Sequence, residues 1–156
     1  MSRTLARASL AMKIARLDRI AFNEAVANEH LRCVPRTRPG SARLFDEDDL
    51  AMLCIFSQLI DFGMTPRTAG PLACEFRSYL DTYPDEDRLV LVKGSLTGTI
   101  LRGSEFNPDH RAAGIHYPGL GDIMFTLDFH LVAIRARISR ELEYEDNIRG
   151  REDDEG

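Results

Sequence analysis

The stretch Arg36–Leu50, RTRPGSARLFDEDDL, constrains the fold more than any other part of the chain, because three local signals follow one another without a break. Pro39-Gly40 is a turn pair in which glycine is free to take a positive φ. Ala42–Phe45 is a short apolar run that reads as a strand. Asp46 then offers a side-chain oxygen to the first free N–H groups of a helix, and Glu47, Asp48 and Asp49 place negative charge at its positive end. A basic hairpin joined to a capped helix start is the pattern of a wing in a small DNA-binding fold.

The helix that Asp46 opens is expected over Glu47 to about Asp61. Leu50, Met52, Leu53, Ile55, Phe56, Leu59 and Ile60 leave it little polar face, which makes it a core piece packed by several neighbours. Its stop is Phe62-Gly63, with Gly63 as the residue past the end. Thr65 and Pro66 are the N-cap and first-position proline of a fourth helix, with Ala69, Leu72, Ala73, Phe76 and Leu80 inward. Pro71, preceded by Gly70, predicts a kink or a split into two short pieces.

Upstream, Thr4–Ile14 carries apolar residues at helical spacing with no Gly or Pro inside, and Asp18 is a good N-cap for a second helix to about Glu29. Phe22, Ala25 and Val26 form the inward stripe of that second helix. Arg19, Asn23 and Ala27, four apart, share another face, and an Arg and an Asn beside a small residue suit an element that enters a major groove. Helix, short turn, helix is the helix-turn-helix pattern. Arg32, Arg36, Arg38 and Arg43 surround the hairpin, where guanidinium groups reach phosphate bidentately or enter a minor groove. Arg43 has a second option, pairing with Asp46–Asp49, whereas Arg36 and Arg38 are freer.

The net charge of −5 conceals an asymmetry. Residues 1–45 hold nine Lys/Arg against three acids, a net +6, while the remainder holds eleven against twenty-two, a net −11. A basic front and an acidic back are expected where one part meets a polyanion and the other serves a different purpose.

After Pro84 the texture changes. Asp85–Asp87 is an acidic link, Arg88–Lys93 (RLVLVK) reads as a strand, and Thr99–Leu101 and Ile123–Leu127 as two more, separated by a polar loop rich in Gly, Ser, Thr, Asn and Pro. Leu127, Leu131, Ile134, Ile138 and Leu142 recur at intervals of four and three, predicting a final amphipathic helix from about Phe129 to Glu143 with Arg135, Arg137 and Arg140 on its polar side. Such a helix covers its stripe either on a second copy of the chain or on its own domain. The tail from Glu145 onward has no apolar core and reads as solvated.

Catalytic signatures do not appear: there is no glycine-rich phosphate loop, HExxH, GxSxG or paired Cys/His set. Asp109-His110 with His116 on the long loop reads as solvated side chains. Three cysteines, Cys33, Cys54 and Cys74, are widely spaced and odd in number, which argues against a disulfide framework or zinc site and for buried, inert thiols. No apolar run reaches the roughly 18 residues of a membrane span, and charges interrupt the first residues, so the expectation is a cytoplasmic, nucleoid-associated protein with no membrane partner, no metal and no cofactor.

The string ARLFDEDDLAMLCIFSQLIDFGMTPRTAG resembles the wing-to-core-helix segment of MerR-type winged helix-turn-helix regulators, whose pattern is Arg, one residue, an aromatic, acidic residues and Leu, then an apolar helix ending in Gly and a capped short helix. Arg43, Phe45, Asp49, Leu50 and Gly63 stand at the matching places, and the resemblance covers about residues 4–80. Excisionase-like proteins share the motif. The second helix lacks the family's Arg-Tyr-Tyr-type cluster, and the cysteines do not surround a long dimer helix as in the metal-sensing branch.

The fold implied is mainly α with a small β component: a winged helix-turn-helix domain over 1–83, a C-terminal strand, loop and helix region over 84–144, and an acidic tail over 145–156. The function implied is sequence-specific binding of double-stranded DNA, with transcription regulation as a homodimer and no catalytic residues. Arg19 and Asn23 would lie nearest the base edges, Arg36 and Arg38 would hold the backbone or the neighbouring minor groove, Lys13 and Arg16 would add phosphate contacts, and Ser41 and Arg43 complete the DNA-binding set. The alternatives are an excisionase-like or DNA-bending protein, and a protein-interaction adaptor on the same fold.

Overall fold

Glu47–Phe62, the helix opened by Asp46, is the centre of the first unit. In the computed structural model, residues 5–37, 39–106 and 119–155 are described, with 147–155 described by their backbone alone. The element order is β1 (Ala6–Arg7), α1 (Ala8–Ala15), α2 (Arg19–Ala27), β2 (Leu44–Phe45), α3 (Glu47–Phe62), α4 (Pro66–Thr82), β3 (Arg88–Gly94), β4 (Gly98–Arg102), β5 (Ile123–His130) and α5 (Leu131–Glu155). The composition is mainly α with small antiparallel sheets. The chain divides into two compact units, Met1–Asp81 with Ala133–Gly156, and Thr82–Val132.

Both ends of α3 are built as the local chemistry predicts. The Asp49 N–H donates to Asp46 Oδ1 at 2.8 Å and the Asp46 N–H donates to Asp49 Oδ2 at 3.0 Å, so two orphan donors are satisfied reciprocally. Gly63 takes φ 117°, and the Gly63 and Met64 N–H groups close on the Ile60 and Leu59 carbonyls at 2.9 and 3.0 Å. Between them every residue from Asp49 to Ser57 is buried, as the all-round apolar pattern requires. Ser57, with Asp49 one of the two polar residues of that run, donates its hydroxyl to the Arg16 carbonyl at 3.2 Å, tying α3 to the turn between α1 and α2.

Several expectations are corrected. The first helix begins at Ala8, because Ala6 and Arg7 instead pair antiparallel with Phe45 and Leu44. The strand after the basic loop is Leu44–Phe45, and no hairpin forms among the described residues of 28–43. Pro35 and Pro39 lack the N–H donors that a hairpin ladder needs, so the strand takes its partner from the N-terminus instead. The fourth helix runs as one piece through Pro71, since Gly70 before it has no Cβ to clash with the pyrrolidine ring. Cys33 and Cys74 are not inert thiols: they form a disulfide with 5.4 Å between Cα atoms, across 41 residues of sequence. Cys54 remains a free, buried thiol in α3, and burial pushes its pKa up.

Gly70 has a second role. A Cβ there would overlap the backbone carbonyl of His30, so the chain leaving α2 approaches α4 at a distance only glycine permits. Helix propensity alone favours Gly70→Ala by about 1 kcal/mol. Overpacking against a backbone atom costs about 1–3 kcal/mol. The variant is therefore expected to melt lower than the parent, and a melting temperature at or above the parent's would show that the His30 segment yields freely.

The second unit is a three-stranded antiparallel sheet in the order β4-β3-β5. Leu91 stands opposite Ile100 on one side and Leu127 on the other. β3 is the continuous apolar run of the sequence because it is central and buried on both faces. Val90, Val92 and Leu120 form a core on one face, with Leu101, Phe106 and Ile123 packed against it. The last strand extends to His130, since Arg88 and Leu89 continue the ladder with His130 and Phe129, and α5 starts without a loop at Leu131. Helix continues through Glu155, over the tail expected to be solvated.

The stripe of α5 is covered in cis: Ile138 and Leu142 are buried, and Arg137, placed on the polar side by its spacing, donates from Nη2 to the Ile14 carbonyl at 2.6 Å. A cation there complements the C-terminal end of α1.

Candidate nucleic-acid interface

Asp18 opens α2 by accepting the Ala21 N–H at 2.9 Å. With the helix phase so set, Phe22 and Ala25 turn inward, and Arg19, Ile20, Asn23 and Ala27 face outward. Ile20 is 70 % exposed, a large apolar side chain standing among polar ones.

The β1–β2 pairing brings the start of α1 and the end of the basic loop to the same side of α2. Together they enclose a recess of about 390 Å³ lined by Arg7, Ser9, Arg19, Asn23, Thr37 and Arg43, with Ala8, Phe22 and Ala42 between them. Three guanidinium-bearing residues converge there and no acid lines it. Arg7 is also the N-cap residue of α1 and makes no side-chain cap bond, and Ala8 and Ser9, the first residues of that helix, line the recess. Uncapped N–H groups beside guanidinium groups suit a phosphate oxygen.

The floor of the recess is aromatic. Phe22 and Phe45 meet edge to face with centroids 6.0 Å apart, and the Arg43 guanidinium sits 5.9 Å from the Phe22 centroid. Arg43 does not pair with the acids of the α3 start. Arg77 of α4 takes that place, lying 3.0 Å from Asp49, 3.7 Å from Asp46, 4.0 Å from Asp48 and 2.7 Å from Asp81. Burial alone would lower the Arg77 pKa, but the hydrogen bonds it donates to the Asp81 and Asp49 carboxylates hold it above its ordinary value. Burial pushes the Asp49 carboxyl up, against the Asp46 N–H and Arg77, which favour its charged form. Arg77 thus holds the place beside the acidic cluster, and Arg43 is left facing the recess.

The other expected contact residues are spread more widely. Arg36 is exposed and lines a neighbouring groove of about 520 Å³ that shares Thr37 and Arg43 with the recess. Arg32 in that groove donates to the Glu29 carbonyl at 3.2 Å and faces the Glu29 carboxylate at 3.5 Å. Arg16 is exposed in the inter-helix turn, in a left-handed conformation with φ 53°. Ser41 is exposed and lines neither cavity. Lys13 is drawn away: its Nζ lies 2.8 Å from Glu145 of α5, and that hydrogen bond raises its pKa. Arg38, like His110 and His116, lies outside the described residues.

Sequence reasoning missed Arg7, which counted toward the basic charge but had no assigned role. Only the long-range β1–β2 pairing places it at the recess. Arg77 was missed for the same reason, being 28 residues from Asp49.

A larger recess of about 560 Å³ lies in the second unit, between Tyr83 and Ser104. Its Arg102 stacks on Tyr83 at 4.2 Å and pairs with Glu105 and Glu86, so the charge there is already satisfied. Among the described residues no group of three His, Cys, Asp or Glu could hold a metal ion, and no helix is long and apolar enough to cross a membrane. No protein-family model matches the chain, and no curated protein matches it either.

Proposed function

We propose that the first unit binds double-stranded DNA as a helix-turn-helix domain of the winged type, with the β1–β2 ribbon where the sequence predicts a hairpin, and regulates transcription as a homodimer. The observation that carries this reading is the acid-free recess in which Arg7, Arg19 and Arg43 converge beside an exposed helix face. A protein with a net charge of −5 that gathers three arginines at one recess with no acid among its described lining residues has a local reason to attract a polyanion.

In this arrangement α2 lies in the major groove, wide enough at about 12 Å to admit a helix. Arg19 matches the paired acceptors of guanine, Asn23 the donor and acceptor of adenine, and Ile20 the methyl group of thymine. Arg7, Arg43 and the first turn of α1 hold phosphate, with Arg36 and Arg16 outside them on the same strand backbone. Lys13 stays with Glu145. Two copies would place two α2 helices on half-sites about 34–36 Å apart.

Arg7→Ala with Arg43→Ala is expected to weaken binding to all duplexes alike. The slope of log K against log salt should fall by about two units, near 0.9 for each lost phosphate contact. Titrations of the full chain on sheared genomic duplex over a range of salt measure this. An unchanged slope removes the recess from the interface, and a chain that ignores both duplex and heparin at low salt is an adaptor on this fold instead.

A further inference from the structure

We propose that the Cys33–Cys74 disulfide is a thiol–disulfide exchange site through which a dithiol reductant lowers the DNA affinity of the recess; this rests on the DNA-binding reading above. The bond ties the chain just past α2 to α4. The loop it pins, 28–43, joins the outward face of α2 to β2 and carries Arg36 and Arg43, two of the four side chains assigned to phosphate, with Thr37 between them in the recess. Among its described residues the loop has no strand pairing of its own to hold it.

Apart from the disulfide, the attachments of the loop to α4 are steric and apolar, with one N–H···S contact. Gly70 and Cys74, one helical turn apart on α4, receive His30 and Cys33. The His30 contact is steric: its Nδ1 is buried without a hydrogen-bond partner among the described residues. The Cys33 N–H donates to Cys74 Sγ at 3.3 Å, a bond that depends on the sulfur staying where the disulfide holds it. Packing of Leu31 and Val34 is what would remain.

Access fits exchange. Cys33 and Cys74 are both half-buried, more open than Cys54, which is only 4 % exposed and whose raised pKa keeps it a thiol. One thiolate of the reductant attacks a sulfur of the pair, breaking the Cys–Cys bond and forming a mixed disulfide. The released cysteine takes up a proton. The second thiolate of the reductant then attacks the mixed disulfide, releasing the other cysteine, which is protonated in turn. Two electrons pass to the cysteine pair, and the reductant leaves as its own cyclic disulfide.

Once free, the loop no longer presents Thr37, Arg43 and Arg36 in a fixed arrangement, and binding must order it first. The test uses the full chain, oxidised or treated with dithiothreitol, on sheared genomic duplex DNA, with hydrogen exchange read in parallel. The oxidised chain should titrate one thiol under denaturing conditions, Cys54, and the reduced chain all three. Reduction should raise the Kd about tenfold and speed exchange over 28–37 while α3 stays protected. Cys33→Ser should bind at the weaker level in both conditions, and Cys54→Ser should respond like the parent. Equal affinity of the oxidised and reduced chains, with exchange over 28–37 accelerated, overturns the switch and leaves DNA binding standing. Absence of binding in both states overturns the DNA reading and the switch together. Three thiols after oxidation overturn the site itself.

Discussion

Phe45→Ala is expected to lose about 4 kcal/mol of stability, the range for emptying a fully buried phenylalanine site being about 3–5 kcal/mol. Phe45 has no exposed surface and belongs to β2, whose pairing with β1 holds Arg7 beside α2. It also supports Phe22 edge to face, an arrangement worth about 0.5–1.5 kcal/mol beyond area alone. The void would lie directly under the recess, so the loss falls on the elements that aim Arg7, Arg19 and Arg43. At about 2–4 °C per kcal/mol for a chain of this size, thermal melting should shift by roughly 8–16 °C. Phe45→Leu, which keeps most of the volume, should recover more than half of that. A loss below about 1 kcal/mol for the alanine variant would mean that the site collapses without cost and that Phe45 does not carry the floor.

Arg77→Met is expected to cost about 3 kcal/mol, at the lower end for breaking a buried ion pair because two of its four partners, Asp48 and Asp81, are 40 % and 66 % exposed. What remains is a group of carboxylates around the α3 start, with the Asp49 side chain only 11 % exposed. The sign of the pH dependence follows from the loss of the cation. The Asp49 carboxyl, already above its ordinary 3.8 because of burial, moves further up, so the folded variant keeps a proton that the unfolded chain has released. A raised carboxyl contributes stability that is present below the unfolded value and lost as pH rises through the folded one. The stability gap between variant and parent should therefore be widest at neutral pH and narrow as pH falls toward about 4. Denaturant melts at several pH values measure it, and a gap independent of pH would show that Arg77 acts through packing of its stem and not through its charge.

The contrast between these two residues shows where the sequence was legible. Asp46 and Asp49 could be placed because they satisfy each other within one helical turn, whereas Phe45 takes its neighbours Ala6 and Phe22 from distant parts of the chain. A cap at Asp46, an apolar run to Leu59 and a stop at Gly63 each depend on hydrogen bonds spanning a few residues, and all three stand as expected. The α2 face was legible for the same reason, since Arg19 and Asn23 are one helical turn apart and only the cap at Asp18 was needed to set the phase. The β3 strand announced itself through its apolar content, although its edge partners ran longer than their own residues suggested.

Arg77 had no such signal. Any of several cations could have served the acids at the α3 start, and Arg43 was the nearest in sequence. Which one does was decided by the approach of α4 to the α3 start, which sets Arg77 Nε 3.0 Å from Asp49, while Arg43 lies over Phe22. Cysteine spacing likewise cannot reveal a pairing, because a disulfide depends on Cα atoms coming within reach, and only the loop path beside Gly70 brings Cys33 and Cys74 together. The amphipathic stripe of α5 fitted a second chain as well as its own. Burial of Ile138 and Leu142, and the bonds from Arg137 to Ile14 and Lys13 to Glu145, settle it onto the first unit.

By itself, then, the sequence determined the elements whose stabilising contacts are local: the capped core helix, the phase of α2, the central strand and the basic character of the front of the chain. Tertiary structure decided the pairings between distant segments. Those are β1 with β2, Cys33 with Cys74, Arg77 with the α3 acids and α5 with α1, and the recess at α2 exists because of the first of them. The physical reason is that a hydrogen bond or cap within one turn is set by residue type and spacing, whereas the partner of a surface charge, a sulfur or an apolar stripe is set by which surfaces packing brings within a few ångströms.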